Sequence, residues 1–367
     1  MTIILSPDKF RGSLTAFEVC NAMEAGIRAA LPEAEIIKAP LSDGGEGFLD
    51  VLVTNLNGKL LEVECHDPLM RPIKATFGIA QDTAFIEMAQ ASGLALLKKE
   101  EQNPLKTTTY GTGELILAAI KQGVRRIILG IGGSATSDGG IGMAAALGWK
   151  FLDDTGQELA PTGENLNRIQ HIQKPELPLG AEVLIASDVS VPLYGPEGAA
   201  YVFGPQKGAD TSAIQHLDAG LRHLANCLAG IHSLSSAQAG AGAAGGLGYG
   251  LRVFCNAQIR PGVELVMELI GYEQLLQKAD LVITGEGKLD SQTIQGKLIS
   301  GICQKAGRVP VVALCGTLSA SPMALRKMGL RYATSVLTAP ITLEEALETA
   351  YEQVRDATYW LVPLFSK

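Results

Sequence analysis

The stretch Thr2-Ile3-Ile4-Leu5-Ser6-Pro7-Asp8-Lys9-Phe10-Arg11-Gly12-Ser13-Leu14 decides the fold class. A short apolar run gives way to a loop of proline, glycine and charge. The loop leads into apolar residues at Ala16, Val19, Cys20, Met23 and Ile27, the spacing of an amphipathic helix that Ser13 is placed to cap. Leu31-Pro32 stops that helix, 35–39 reads as a second strand, Leu41-Ser42-Asp43-Gly44-Gly45-Glu46-Gly47 as a turn and 48–56 as a second helix. Strand–loop–helix alternation of this kind predicts a parallel sheet with crossover helices.

The same grammar returns near the end of the chain. A strand at 280–284 runs into Gly285-Glu286-Gly287-Lys288-Leu289-Asp290, followed by a helix from about 292 to 306 and strands at 309–314 and 332–337. The last helix opens on a Thr342/Glu345 capping box, and Leu343, Ala346, Leu347, Ala350, Tyr351 and Val354 form its expected core-facing stripe. The middle reads differently, with short alternating strands at 61–65, 74–78 and 84–88, two strand–helix stretches and the glycine-rich tract at 240–248. The expected architecture is therefore α/β: a doubly wound parallel-sheet domain made of 1–62 plus 268–367, and a second α/β domain inserted at 63–267. The cleft between two such domains is where a ligand is expected.

Composition narrows the function. A chain of 367 residues exceeds one ordinary core, and 47% hydrophobic with 19% charged residues excludes a disordered polyampholyte. Forty-two glycines without a G-X-Y period point to many tight loops. A net charge of -8 without a basic run argues against nucleic acid or an anionic membrane as partner. No run of about 18 apolar residues is present to span a bilayer. The N-terminal apolar run is cut by Asp8 and Lys9, which reads as a strand and not a signal peptide. Cys20, Cys65, Cys227, Cys255, Cys303 and Cys315 show no CxxC spacing and read as free thiols in a reducing cytoplasm. The five histidines form no HExxH pattern, so any metal is expected on oxygen ligands.

Several strands run straight into small-residue turns that carry an acid: Asp8, Asp43 with Glu46, Asp138, Asp188, and Glu286 with Asp290. Each alone is also an ordinary turn former or helix cap. Together, at the carboxyl edge of an open sheet, they suit a cation such as Mg²⁺ bridging phosphates. The strongest anion site is Gly130-Ile131-Gly132-Gly133-Ser134-Ala135-Thr136-Ser137-Asp138-Gly139-Gly140, placed between a strand and a helix at 141–147, with hydroxyls at Ser134, Thr136 and Ser137. Gly130-x-Gly132-x-x-Ala135 also reads as a dinucleotide fingerprint with Asp153 or Asp154 downstream, so a nicotinamide oxidoreductase is the rival. Gly139-Gly140 interrupts the helix that such a fingerprint needs. There is no Walker A loop and no protein-kinase HRD or DFG set. The basic residues near loops are Lys9, Arg11, Arg260, Lys207 and Lys288, of which Arg11 and Lys288 follow strands whose loops also carry acids. The Gly204–Ala209 turn and the 240–250 tract read either as hinge or tight crossing, or as backbone packed against a nucleotide or the other domain.

Several motifs together resemble the type II (bacterial) glycerate kinases: Ser6 to Leu14, Leu41 to Gly47, Thr108-Thr109-Tyr110-Gly111-Thr112-Gly113-Glu114, Gly130 to Gly142, Phe203 to Ala209, Gly240 to Gly248, and Val282 to Thr293. The resemblance covers nearly the whole chain. It implies a flavodoxin-like domain carrying a second α/β insert, and ATP- and Mg²⁺-dependent phosphorylation of D-glycerate, with 2-phosphoglycerate the favoured product. Arg11, Ser137 and Val191 depart from the family's usual Lys, Asn and Asn. Arg at 11 keeps the charge but changes its geometry to a fork.

On this reading Asp188 and Asp290, with Glu286 nearby, hold Mg²⁺, and Asp43 or Asp188 accepts the hydroxyl proton, Asp43 being favoured. Arg11 and Arg260, with Asp8, contact glycerate, and Lys288 neutralises the transferring phosphoryl group. Gly132, Gly133, Ser134, Thr136 and Lys207 bind ATP. The expected protein is a cytoplasmic monomer or homodimer. A non-catalytic sensor of glycerate or nucleotide is the remaining alternative, and the density of acids argues against it.

Overall fold

A computed structural model describes residues 1–176, 179–230, 235–290 and 297–366, with Lys297 described by its backbone alone. Among the described residues the strands are β1 (Thr2–Leu5), β2 (Glu35–Lys38), β3 (Lys59–His66), β4 (Pro72–Ala80), β5 (Thr83–Glu87), β6 (Arg126–Gly130), β7 (Lys150–Leu152), β8 (His171–Gln173), β9 (Glu182–Ala186), β10 (Gln258–Arg260), β11 (Leu281–Leu289), β12 (Val311–Leu318) and β13 (Tyr332–Ser335). The chain divides into two compact units. The first is Met1–Asp43, Asp50–Leu56 and Val263–Lys367, and the second is Gly44–Leu49 and Asn57–Gly262. The division falls a few residues from the boundaries expected at 62 and 268, because β3 starts at Lys59 and pairs with β4 along its whole length.

The first unit is an α/β layer structure on a five-stranded sheet in the order β13-β12-β11-β1-β2, every pair parallel. Ile3, Leu5, Ile283, Val312 and Leu314 bury one face of the sheet against Val19, Met23 and Ile27 of the helix Ala16–Ala30 and Val354 of the helix Ala350–Leu361. Gly26 lets these two helices touch closely: a Cβ there would lie 2.3 Å from the carbonyl oxygen of Arg355.

The helix Ala16–Ala30 is capped by Thr15 and not by Ser13. Thr15 and Glu18 form a reciprocal capping box, while the Ser13 hydroxyl donates to the Phe10 carbonyl. The strand expected to stop at Thr284 continues to Leu289 as β11. Glycines at 285, 287 and 316 let β11 and β12 stay paired to Leu289↔Leu318, where a Cβ on Gly285 would meet the Leu314 carbonyl at 2.3 Å. The expected helix from 292 begins in the description at Lys297, and 291–296 lie outside the described residues. The last helix is two, Leu343–Glu348 and Ala350–Leu361, broken at Thr349. Its first turns carry no core stripe: Leu343 is 76% exposed, whereas Ala350 and Val354 are buried.

The second unit holds a six-stranded sheet in the order β10-β9-β6-β5-β4-β3, parallel from β10 to β5 and antiparallel through β4 and β3, plus the pair β7-β8. Ile127, Leu129, Val183 and Ile185 sit in a core with Leu115, Ile141, Leu224 and Leu251. All six cysteines are free thiols, and no helix among the described residues is long and apolar enough to cross a membrane.

Candidate active site

In the second unit, four strands end level with one another. Glu87, Gly130, Ala186 and Arg260 are register partners across β5, β6, β9 and β10. This is the carboxyl edge at which an open parallel sheet collects ligands. Beyond β9, Ser187 donates its backbone N–H to the Arg260 carbonyl at 3.1 Å, which places Asp188 next to the end of β10, with its carboxylate oxygens buried.

Beyond β6 comes the glycine loop. Its first glycines are dictated by packing: a Cβ on Gly130 would lie 2.6 Å from the Gly44 carbonyl oxygen, and one on Gly132 2.8 Å from Gly45 Cα. Gly44 crosses in turn over β9, where a Cβ would meet the Ala186 carbonyl at 2.5 Å. The Gly44–Gly45 backbone therefore lies on the ends of β6 and β9. Gly133, in left-handed conformation at φ 75°, meets only Ala89 Cβ at 3.4 Å and is the open member. The loop is tied laterally as Leu94 N–H donates to Gly133 O and Ala135 N–H to Ser92 O. Thr136 Oγ1 and Ser137 Oγ are buried with no hydrogen-bond partner among the described residues, as in a loop built to receive further polar atoms.

Asp138 was expected among the metal-facing acids and is a structural pivot instead. Its fully buried carboxylate accepts from Thr109 N–H and Thr109 Oγ1 at 2.7 Å each, Gly140 N–H at 3.0 Å and Gly142 N–H at 3.2 Å. It thereby joins the starts of the helices Tyr110–Lys121 and Ile141–Ala146. Burial pushes its carboxyl up, and the four donors oppose that shift. Lys207, also buried, donates from Nζ to Ser134 Oγ at 2.8 Å and to Thr136 O at 2.6 Å; burial pulls its ammonium down to about 7, against the pull of Asp138. The 240–250 tract is a tight crossing. Cβ atoms on Gly242, Gly245 and Gly250 would strike Pro192 O at 2.1 Å, Thr136 O at 2.0 Å and Gly139 O at 2.5 Å, so the tract buttresses the loops after β6 and β9.

In the first unit the loop after β1 stays attached to β11, because Ser6 N–H donates to Ile283 O and Asp8 N–H to Gly285 O. Tyr272 Oη donates to Ser6 Oγ at 2.9 Å and Thr284 Oγ1 to Ser6 O at 2.8 Å, which lock the loop base. Asp8 accepts the Lys9 N–H, and its carboxyl is pushed up to about 6 by burial first and then by Asp43, with Lys9 and Arg11 opposing. Arg11 is exposed and sits over Gly287, whose Cβ would be 3.3 Å from Arg11 N. Glu286, Lys288 and Asp290 follow at two-residue intervals along the end of β11, so they share a face, and Lys288 Nζ pairs with Asp290 at 2.9 Å.

The structure thus groups Asp8, Asp43, Arg11, Glu286, Lys288 and Asp290 with the first unit's sheet. Gly132, Gly133, Ser134, Thr136, Lys207, Asp188 and Arg260 belong to the second. Among the described residues no three His, Cys, Asp or Glu side chains converge as a metal-binding group. Mg²⁺ carried by phosphates takes one or two protein carboxylates and not an all-protein cage, so the lack of such a group is compatible with it. The expected motif residues Ser291 to Thr293 lie outside the described residues. Two residues were given no role in the sequence reading. Glu87, buried at the end of β5, accepts the Leu49 N–H at 2.8 Å, and Thr109 anchors Asp138. The run Thr107-Thr108-Thr109 before a helix was the available signal. Asp153, one of the two acids downstream of the dinucleotide fingerprint, is used by its own turn, accepting from Thr155 and Gln157.

These features describe an α/β protein with a glycine loop at the carboxyl edge of one sheet and a charged strand end in the other. The glycerate kinase family model matches residues 3–366. Glycerate kinase of Bacillus subtilis is 43% identical over 96% of this chain and 94% of its own, and glycerate 2-kinase of Escherichia coli is 41% identical over 96% and 95%. A crystal structure from Salmonella typhimurium LT2, provisionally named glycerate kinase 2, superposes with a TM-score of 0.88 at 42% identity, covering 99% of this chain and 98% of that one. The chain belongs to the glycerate kinase family and is an enzyme of that class.

Proposed function

We propose that the protein transfers the γ-phosphoryl group of ATP, with Mg²⁺, to D-glycerate, giving 2-phosphoglycerate. The observation that carries this reading is the level edge Glu87–Gly130–Ala186–Arg260, with the glycine loop rising from Gly130 and Asp188 beside Arg260. Phosphoryl transfer asks the protein mainly for positioning and charge neutralisation, and these residue types supply both. Gly133, Ser134 and Thr136 offer N–H and O–H donors to ATP phosphates, with Gly132 setting the loop's path. Arg11 and Arg260 offer guanidinium forks to a carboxylate, and Asp8 contacts the substrate from the Arg11 loop. Asp43 takes the proton of the attacking hydroxyl, with Asp188 the alternative, and Lys288 neutralises the phosphoryl group in flight. Asp188, and Glu286 with Asp290, are the carboxylates that would hold Mg²⁺, which when bound neutralises charge on the phosphates. We also read the first unit, whose strands follow the order 2-1-3-4-5, as flavodoxin-like and the second as its insert, and the six free thiols support a cytoplasmic setting.

The test is ADP release on mixing the protein with ATP, Mg²⁺ and D-glycerate, with L-glycerate and EDTA controls, and phosphorus NMR of the product. Metal-dependent, D-selective turnover at the 2-hydroxyl is expected; turnover without either requirement overturns the reading. Asp43→Asn is expected to lower kcat by about 10²-fold or more, as for a lost general base. If Asp43→Asn and Asp188→Asn both turn over near normally, the proton-transfer scheme is wrong.

A further inference from the structure

We propose that Lys207 is a positioning residue, whose ammonium holds the 132–137 loop in the shape that receives nucleotide phosphates and acts on them through Ser134 and Thr136. This rests on the reading of that loop given above. Lys207 is only 1% exposed, and burying an ammonium costs several kcal/mol unless its hydrogen bonds and charge are met. Two of its three donors go to the loop, one to the Ser134 hydroxyl and one to the Thr136 carbonyl. The charge facing it is Asp138, whose carboxylate is already occupied by four donors from Thr109, Gly140 and Gly142. The loop is therefore gripped at Ser134 and Thr136 from one element and at Asp138 from others.

The element that carries Lys207 is itself fixed. Lys207 N–H donates to Gly204 O, as does Ala209 N–H, and Gly208 is left-handed with φ 89°. A Cβ on Gly208 would lie 2.2 Å from the Gln102 carbonyl oxygen, so this turn has one seat only. Gly245 completes the arrangement: a Cβ there would come within 2.0 Å of Thr136 O, the atom that Lys207 holds. With the carbonyl of Thr136 fixed, the buried hydroxyls of Thr136 and Ser137 stay in place although no group among the described residues binds them. A lysine that touched phosphate directly would instead need its ammonium facing solvent when nucleotide is absent.

The experiment compares Lys207→Met, Ser134→Ala and the double variant with wild type. Thermal midpoint, KM for each substrate, ADP affinity by calorimetry, and amide hydrogen exchange over 131–138 are measured. Lys207→Met is expected to raise KM for ATP and Kd for ADP about tenfold or more, the worth of a charged hydrogen bond, with KM for glycerate within about twofold. Exchange over 131–138 is expected to rise about tenfold while the β3–β4 hairpin stays unchanged. Adding Ser134→Ala to Lys207→Met is expected to weaken ADP binding by less than Ser134→Ala does in wild type, because part of the Ser134 effect runs through its contact with Lys207. Effects that multiply, or a lowered thermal midpoint with unchanged ADP affinity and loop exchange, overturn the proposal. If Lys207→Met does not fold, Ser134→Ala decides: faster loop exchange supports the clamp and unchanged exchange overturns it. If wild type shows no turnover of D-glycerate, the activity assigned above fails, and loop exchange alone judges Lys207.

Discussion

The loop after β6 and the loop after β1 begin alike, each an apolar strand running into small residues and an aspartate, yet they end in opposite electrostatic states. Asp138, fully buried, accepts four hydrogen bonds and fastens two helix starts. Asp8 accepts one, from Lys9 N–H, and shares its surroundings with Asp43, so its carboxyl is pushed up to about 6. The donors that surround an acid decide whether it supports the fold or is left for chemistry. The second unit's loop is a preorganised backbone device. The first unit's edge is a set of side-chain charges, with Arg11 exposed and Lys288 exposed but paired to Asp290.

Substitution can break this contrast. Asp138→Ala has the largest expected effect: it leaves buried donors at Thr109, Gly140 and Gly142 unmatched and is expected to cost about 3 kcal/mol of stability, read by urea denaturation. Stability within about 0.5 kcal/mol of wild type would remove Asp138 from its structural role. Arg11→Met, on an exposed residue, is expected to leave stability unchanged and raise KM for glycerate about 10- to 100-fold, from steady-state kinetics. An equal rise in KM for ATP would assign Arg11 to the nucleotide instead.

Asp8→Asn sharpens the comparison through pH. The folded carboxyl titrates near 6 and the unfolded one near its ordinary 3.8, so the native state holds the proton more tightly. The contribution of Asp8 is fully present below pH 3.8 and is lost as pH rises through 6. Without ligands, Asp8→Asn is therefore expected to match wild type at pH 3.5 and to exceed it by about 3 kcal/mol at pH 7.5. A less stable variant at pH 7.5 would show that Asp8 is held as a carboxylate by its cationic neighbours. Leu343→Ala has the smallest expected effect, within about 0.5 kcal/mol by thermal unfolding, because its side chain is exposed.

Much of the fold was legible. The strands read at 2–5 and 35–39 stand within a residue of β1 and β2, those read as running into Asp138 and Asp188 are β6 and β9, and the helix stripe from Ala16 to Ile27 and the Thr342 capping box stand where periodicity and turn chemistry place them. The Thr15-x-x-Glu18 box was equally legible and outweighs Ser13, since it satisfies two backbone donors where Ser13 offers one. The helix break at Thr349 was not legible, because the Leu343–Val354 stripe has helical spacing on both sides of it. Nor was the length of β11: glycine punctuates loops in sequence, and only a neighbouring strand with its own Gly316 turns Gly285 and Gly287 into points of close pairing.

By itself the sequence determined the α/β class and the parallel strand pairing, because these rest on local periodicity, and its motifs, spread over nearly the whole chain, carried the family. Only the tertiary structure decided which glycines serve packing and which lie open, and which acids are saturated by donors. It also buried Lys207 against Ser134 and Thr136, residues more than 70 positions away in the chain. Hydrogen-bond saturation and burial are set by neighbours distant in the chain, and no local pattern records who those neighbours are.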